Sequence, residues 1–237
     1  MNFSRIYLNR LQQLPEQPAV VVVIDVLRSF TTAAVALAGG AACVRPVEGV
    51  AAAISLAERI PDALTVGAIP GGDPAPGFAY GNAPAELLEV DLNGRAVVMS
   101  TAAGVRGLQR FAHAEGLYAA SLVCARATAD LIRQRGAENV CFVITGEWVD
   151  RDGDEDVACA DYIEALLRDE QPDPSIYAER VRQSDFGRRF LSGEWPNLPL
   201  ADLTLAAEVD RYPFAMPVLR DINGLVMRPV TVPASAA

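Results

Sequence analysis

The sequence predicts an α/β fold of three layers, with helices on both faces of a largely parallel or mixed central sheet. Short β-branched runs recur along the chain, and most of them are followed by a stretch with helical apolar spacing. The most apolar run, Val20 to Ile24, lacks the polar and apolar alternation that a half-exposed strand shows. We therefore expect this strand to lie in the centre of the sheet, covered on both faces.

Most of the predicted elements lie before Arg168. Strands are predicted at Ala19 to Ile24, Cys43 to Val47, Leu64 to Ile69, Ala96 to Ser100, Leu117 to Leu122 and Val140 to Thr145. Helices are predicted at Phe30 to Ala38, Val50 to Ile60, Ala103 to Phe111, Ala127 to Arg135 and Val157 to Leu167. Prolines and glycines between Pro70 and Pro84 predict a long loop, and long loops are often functional.

The patterns after Arg168 are weaker. They predict short helices at Ser175 to Arg182, Asp185 to Leu191 and Leu198 to Val209, short strands at Pro217 to Arg220 and Leu225 to Arg228, and a loose tail from Val232 to Ala237. A chain of 237 residues, 51% of them hydrophobic, can bury a substantial core. We expect one domain over residues 1–237, either as one body or as two intimate lobes.

Composition excludes several classes of function. All 20 basic residues are arginine, so Schiff-base chemistry and a P-loop lysine are both unavailable. The net charge of −10 comes without any basic cluster, which disfavours a nucleic-acid partner. No apolar run approaches the roughly 20 residues that span a bilayer, and the stretch from Met1 to Pro15 does not resemble a secretion signal. We expect a cytoplasmic protein without membrane partners, and a homo-oligomer is compatible with the sequence.

Cysteine and histidine offer no obvious metal site. The four cysteines are widely spaced and mostly flanked by apolar residues, which favours buried, reduced thiols over disulfides or zinc binding. His113 is the only histidine, so a multi-histidine site is impossible, and we expect it on the surface.

Polar residues that directly follow strands are the first candidates for a site, because ligands of parallel α/β sheets bind at the carboxyl ends of the strands. Asp25 follows the most apolar strand, and Arg28 opens the next helix. This pair suits either a hard cation beside an anion or a helix-capping aspartate with an arginine partner. Ser100 and Thr101 also link a strand to a helix, either as an anion site or as ordinary helix caps.

A third candidate is the acidic segment from Asp150 to Asp156. Its five carboxylates are enough for an octahedral Mg²⁺ site with retained waters. Acidic side chains at a helix start are also favourable without any metal, so a structural role stays open. A calcium loop is disfavoured, since Glu155 occupies the position at which an EF-hand requires glycine.

Several segments, taken in order, resemble the 2-phosphosulfolactate phosphatase family. The family's opening motif, roughly D-V-L-R-A-S-T-T, corresponds to Asp25 to Thr32. Its G-N-S-P, T-T-x-N-G-T-R, E-D-x-x-x-A-G and S-x-x-G-x-x-L segments correspond to Gly81 to Pro84, Ser100 to Arg106, Glu155 to Asp161 and Ser184 to Phe190. The resemblance implies Mg²⁺-dependent hydrolysis of the phosphate ester of a small sulfonated 2-hydroxy acid, within coenzyme M biosynthesis.

The chain departs from the family pattern at polar positions. Ala68 replaces a glutamate, Ala103 and Val105 replace the first and third residues of N-G-T, and Cys124 replaces an asparagine. Each exchange removes a polar group that positions substrate or metal. A catalytically reduced relative that binds a small anion without turnover is therefore a second hypothesis, and a hydrolase with a shifted substrate is a third.

The leading hypothesis assigns roles to individual residues. The expected catalytic residues are Asp25, Arg28 and Glu155, and the expected Mg²⁺ ligands are Asp25, Glu155 and Asp156. The small phosphate or sulfonate ligand is expected to contact Arg28, Ser29, Thr31, Asn82, Ser100, Thr101 and Gly104.

Overall fold

Strands and helices alternate through most of the computed structural model, which describes residues 1–10, 20–69 and 72–232. The strands are β1 (Asn2–Tyr7), β2 (Val20–Ile24), β3 (Cys43–Pro46), β4 (Leu64–Gly67), β5 (Ala96–Ser100), β6 (Gly116–Ala120), β7 (Asn139–Ile144), β8 (Phe214–Asp221), β9 (Gly224–Met227) and β10 (Val230–Thr231). The helices are α1 (Ser29–Ala38), α2 (Val50–Ala57), α3 (Pro84–Leu87), α4 (Gly104–Arg110), α5 (Ala125–Gln134), α6 (Asp154–Leu167), α7 (Pro174–Gln183), α8 (Asp185–Ser192) and α9 (Leu200–Ala206).

The strands form one mixed sheet in the order β1-β7-β2-β6-β8-β9-β3-β5-β4, with β10 paired to β8. One parallel group contains β1, β7, β2 and β6, and a second contains β3, β5 and β4. The antiparallel hairpin of β8 and β9 joins the two groups. The predicted α/β fold with a largely parallel, mixed sheet is confirmed.

The side chains of β2 show why the centre of the sheet is apolar throughout. Val21 and Val23 pack into one hydrophobic core, while Val20, Val22 and Ile24 pack into the other, on the opposite face. Each fully buried side chain of this kind stabilises the fold by about 1.5–3 kcal/mol. β2 lies between β7 and β6, so the prediction of a central strand covered on both faces is confirmed.

Several element boundaries differ from the prediction. β1 was not predicted, since it is a half-exposed edge strand whose polar residues hide the strand pattern. The helix α6 begins three residues earlier than predicted, at Asp154, directly after Gly153 in a left-handed conformation. The helix predicted from Leu198 to Val209 is limited to α9, and β8 is longer than predicted. The predicted tail lies outside the described residues from position 233 onward, as do Ala19, Pro70 and Gly71.

The expected burial of the cysteines and the expected exposure of His113 are confirmed. All four cysteines are buried and free, and His113 is exposed in the turn after α4. Within residues 1–10, 20–69 and 72–232, no helix is both long enough and apolar enough to cross a bilayer.

Candidate active site

Two adjoining cavities, of about 430 and 470 Å³, open at the carboxyl ends of the parallel strands. Asp25 follows β2, Ala68 follows β4, Thr101 follows β5 and Thr145 follows β7, and each of these residues lines one or both cavities. The two cavities share seven lining residues, which are Ala68, Ile69, Thr101, Ala102, Ala103, Trp148 and Arg151. We treat the pair as one cleft, at the edge of the sheet where α/β folds bind ligands.

Asp25 lies at the wall of the cleft and is held by three donors. Its Oδ1 atom accepts a hydrogen bond from the amide of Ser29 at 3.0 Å. Its Oδ2 atom accepts from Ser29 Oγ at 2.6 Å and from the amide of Gly104 at 2.9 Å. A methyl group on Gly104 would lie 2.8 Å from Oδ2, so only glycine lets the start of α4 approach this carboxylate. Asp25 therefore binds the first turn of α1 and the start of α4 while it also lines the first cavity.

Asp156 joins the ends of two strands to the first turn of α6. Its Oδ1 atom accepts from the amide of Val26 at 2.8 Å. Its Oδ2 atom accepts from the amides of Thr145 and Gly146, at 3.0 and 2.7 Å, and from Thr145 Oγ1 at 3.2 Å. Burial, followed by the charges of Glu155 and Asp25, raises the pKa of this carboxyl, while its amide donors oppose that rise. Both oxygens are thus fully engaged within the protein.

Glu155 is the opposite case, although it is the adjacent residue. It is 1% exposed, and neither of its carboxyl oxygens has a hydrogen-bond partner. Burial raises the pKa of Glu155 to about 7, while its own backbone amide and the side chain of Ser184 oppose that rise. A methyl group on Gly146 would lie 2.5 Å from Glu155 Oε1, so glycine leaves room for this side chain between β7 and α6. A buried carboxyl without donors requires either a proton or a cation.

Arg28 lines the cleft but also forms a buried ion pair that the sequence did not reveal. Its Nη1 atom donates to Asp202 Oδ2 at 3.1 Å and to the carbonyl of Asn197 at 2.9 Å, and Nη2 donates to the carbonyl of Gly72 at 3.2 Å. Arg28 is 4% exposed and Asp202 is 0% exposed. A guanidinium has five N–H donors, so two remain for a ligand.

The remaining predicted ligand contacts divide into two groups. Ser29, Asn82 and Thr101 line the first cavity, and Ser100 and Thr101 line the second. The Oδ1 atom of Asn82 is buried without a partner, and Ser29 Oγ lies 3.0 Å from Thr101 Oγ1. Thr31 is not among the lining residues, because its hydroxyl is buried against the carbonyl of Val26 and Ser121 Oγ. The amide of Gly104 is already used by Asp25.

Asp25, Glu155 and Asp156 are the candidate metal ligands of the site. Among the described residues, no three His, Cys, Asp or Glu side chains are grouped closely enough to hold a metal ion on their own. Mg²⁺ however often takes only one or two carboxylates and fills its other positions with water and substrate phosphate. The partnerless oxygens of Glu155 and the singly bonded Oδ1 of Asp25 fit that requirement. Asp156 fits it less well, because four donors already surround its oxygens.

The four departures from the family pattern separate in the structure. Ala68 and Ala103 line the cleft, where a lost polar side chain changes what the ligand meets. Val105 and Cys124 are 0% exposed and belong to the hydrophobic core. Only the first two exchanges alter the surface of the cleft.

Sequence reasoning missed two charged residues of the site. Asp202, the partner of Arg28, lies in a helix with no motif of its own. Arg151 lines both cavities, but it is hidden in a segment that was interpreted only through its acidic residues. No local signal distinguishes either residue from an ordinary surface charge.

Comparison with known proteins gives a consistent result. A family model described as 2-phosphosulpholactate phosphatase matches residues 7–192. A probable 2-phosphosulfolactate phosphatase of Carboxydothermus hydrogenoformans is 33% identical over 195 residues, which cover 80% of this chain and 79% of that protein. Proteins with the same description from Thermosynechococcus vestitus and Bacillus subtilis are 34% and 26% identical, over 67% and 84% of this chain and over 65% and 87% of their own lengths. The chain belongs to the 2-phosphosulfolactate phosphatase family.

Proposed function

We propose that this protein is a Mg²⁺-dependent phosphatase that hydrolyses the phosphate ester of a small anionic 2-hydroxy acid similar to 2-phosphosulfolactate. Family membership supports the reaction class. The observation that carries the proposal is Glu155, a buried carboxyl with two partnerless oxygens, whose neighbour Asp156 binds the amide directly after Asp25. Buried carboxyls whose pKa is shifted in this way are candidates for a role in binding or catalysis.

In this proposal Asp25 and Glu155 hold Mg²⁺, which, when bound, polarises a phosphoryl oxygen and neutralises the charge that develops on it. Asp156 keeps the ends of β2 and β7 in register with α6, so that Glu155 stays in position. To bind the metal as a third carboxylate, Asp156 would have to lose hydrogen bonds from backbone amides. It is therefore the weakest of the three predicted ligands.

The phosphate and its leaving group are bound by donors that line the cleft. The first cavity is lined by Thr101, Asn82 and Arg28. Their hydroxyl, side-chain amide and two remaining guanidinium N–H groups are the donors that we assign to this role. In the reaction a water oxygen forms a bond to phosphorus, the ester P–O bond breaks, and the alcohol oxygen leaves with a proton. Asp25, Arg28 and Glu155 form the proposed catalytic set.

Phosphate release tests the proposal directly. The purified protein is incubated with a panel of 2-phospho-hydroxy acids, including 2-phosphosulfolactate, with Mg²⁺, with Mn²⁺ and with EDTA. We expect metal-dependent release that falls at least about a hundredfold in Asp25→Asn and Glu155→Gln, in line with the loss of a group that stabilises transition-state charge. A folded protein that releases no phosphate from the panel with either metal would refute the proposal.

A second candidate is an anion-binding protein without turnover. It is supported by Ala68 and Ala103, which present methyl groups to the cleft where the resemblance leads us to expect polar side chains. Calorimetry discriminates between the two functions, since binding of sulfolactate without phosphate release favours the second. If that result is obtained, Ala68→Glu restores the carboxylate expected from the resemblance and shows whether its loss is the cause.

A further inference from the structure

The arginines of the cleft differ in how their charges are balanced. Arg28 pairs with Asp202 at 3.1 Å, and Arg189 pairs with Asp150 at 2.7 Å. Arg106 donates to the side-chain oxygen of Asn9, whereas Arg151 has neither an ion pair nor a side-chain hydrogen bond among the residues that the structure describes. Its Nε atom is buried and without a partner. Among the described residues, Arg106 and Arg151 are thus the two cleft arginines without an ion pair, and of these two only Arg151 also lacks a side-chain hydrogen bond.

The position of Arg151 is well defined. A tight turn ends at this residue, closed by hydrogen bonds from the amide of Trp148 to the carbonyl of Arg151 at 3.0 Å and from the amide of Arg151 to the carbonyl of Trp148 at 3.2 Å. The guanidinium carbon lies 4.6 Å from the centroid of the Phe186 ring. Packing against an aromatic ring orients the guanidinium and leaves its edge donors free for a carboxylate or sulfonate.

Glu155 is the competing partner for this charge. Arg151 lowers the pKa of Glu155, but burial and the charge of Asp152 both affect that pKa more strongly. No hydrogen bond joins the two side chains, since both Glu155 oxygens and Arg151 Nε lack partners. Arg151 also lines both cavities, whereas Glu155 is not among the lining residues described. The guanidinium of Arg151 is therefore available to a ligand in the cleft and is not paired with the Glu155 carboxyl.

We propose that Arg151 is the specificity-determining residue that binds the second anionic group of the substrate, a carboxylate or sulfonate remote from the phosphate. This inference rests on the proposed phosphatase function. The small side chains of Ala68, Ala102 and Ala103 line both cavities and leave space for a short carbon chain between the two anionic ends. The substrate class is then a phosphate monoester that carries a further anionic group, and simple alcohol phosphates without such a group are poor substrates.

Binding measurements on the full chain test this role. Arg151→Gln is compared with wild type by calorimetry in the presence of Mg²⁺, with sulfolactate, malate and inorganic phosphate as separate probes. The matched control is Arg188→Gln, which makes the same change of charge on α8 at a side chain that is 63% exposed. We expect Arg151→Gln to weaken sulfolactate binding roughly tenfold to a hundredfold and to leave phosphate binding within about twofold, since one charged hydrogen-bonding group is lost.

The three probes separate the possible outcomes. Weaker binding of both sulfolactate and malate supports the inference and indicates that Arg151 recognises either a carboxylate or a sulfonate. Weaker binding of sulfolactate alone supports it and indicates that Arg151 recognises the sulfonate. The inference is overturned if Arg151→Gln leaves sulfolactate binding unchanged or weakens phosphate binding equally. It is also overturned if Arg188→Gln has an equal effect, or if the wild type does not bind sulfolactate. If sulfolactate binds through Arg151 but no phosphate ester is hydrolysed, the proposed function fails while the assignment of Arg151 stands.

Discussion

Replacing Glu155 with glutamine separates the effect of this carboxyl on folding stability from its proposed role in phosphate release. The carboxyl is fully buried and neither of its oxygens makes a hydrogen bond, so its ionised form is unfavourable in the metal-free protein. Glutamine has nearly the same shape as the protonated acid and cannot ionise. We therefore expect Glu155→Gln to lower phosphate release at least about a hundredfold while making the metal-free fold more stable at alkaline pH.

The size and sign of this effect follow from the pKa of Glu155. Burial raises it from an ordinary value of 4.5 to about 7, so the native state binds more protons than the unfolded state between these pH values. Stability of the wild type must then fall as the pH rises through that window, by roughly 3 kcal/mol in total, and stay low above it. The variant lacks this loss and should match the wild type only below the window.

Urea denaturation in EDTA, at several pH values from about 4 to 8, measures the difference. The matched control is Glu164→Gln on the same helix, where the carboxylate forms partly exposed ion pairs with Arg5 and Arg168 and its loss costs under about 1 kcal/mol. Added Mg²⁺ should stabilise the wild type more than Glu155→Gln. Parallel pH profiles for wild type and Glu155→Gln, or a variant that keeps full activity, would show that this reasoning is wrong.

Three further substitutions test the residues that hold the site together. Asp156→Asn should lower the free energy of unfolding by at least about 1.5–3 kcal/mol in urea denaturation, because either amide orientation sets an NH₂ group against a backbone N–H. Gly104→Ala should cost about 1–3 kcal/mol and suppress phosphate release, because its methyl group would lie 2.8 Å from Asp25 Oδ2. Asp202→Asn should cost about 3–5 kcal/mol in the same denaturation assay, because the buried Arg28 guanidinium loses its counter-charge.

Matched controls make these results interpretable. Asp130→Asn removes a partly exposed carboxylate paired with Arg133, and its expected cost is under about 1 kcal/mol. Gly39→Ala adds a methyl group whose nearest neighbours lie at 3.4 Å, an ordinary contact distance. If Asp156→Asn and Asp202→Asn were no more destabilising than Asp130→Asn, or if Gly104→Ala behaved like Gly39→Ala, the structural roles assigned to those residues would be incorrect.

The central part of the fold was predictable from sequence because burial on both faces leaves a clear mark. β2 is apolar at every position, and β5 was predicted with its observed bounds. β1 was missed because an edge strand has one exposed side, and its arginine and serine look like loop residues. Its place beside β7 depends on pairing with residues more than a hundred positions away, which no local pattern encodes.

The candidate site was predictable only as far as local chemistry extends. The rule that ligands bind after parallel strands located Asp25 and Thr101 at the cleft. Pairing across the chain is invisible to such a rule, since Arg28 and Asp202 are 174 residues apart. Arg151 was missed for a different reason. What distinguishes it is the lack of an ion pair or a side-chain hydrogen bond with the described residues, which only the structure reveals.

Glu155 and Asp156 show how one acidic pair acquires two different tasks. Successive residues on a helix point about 100° apart, so adjacent carboxyls meet different surroundings. The shorter aspartate meets the amides of Val26 and Gly146, and these donors anchor α6 to the sheet. The longer glutamate extends past Gly146 into a space where neither of its oxygens makes a hydrogen bond. The hydrogen bonds of Asp156 therefore hold the first turn of α6 in place and keep the unfavourable Glu155 carboxyl buried. A local loss of stability of this kind is typical of functional sites.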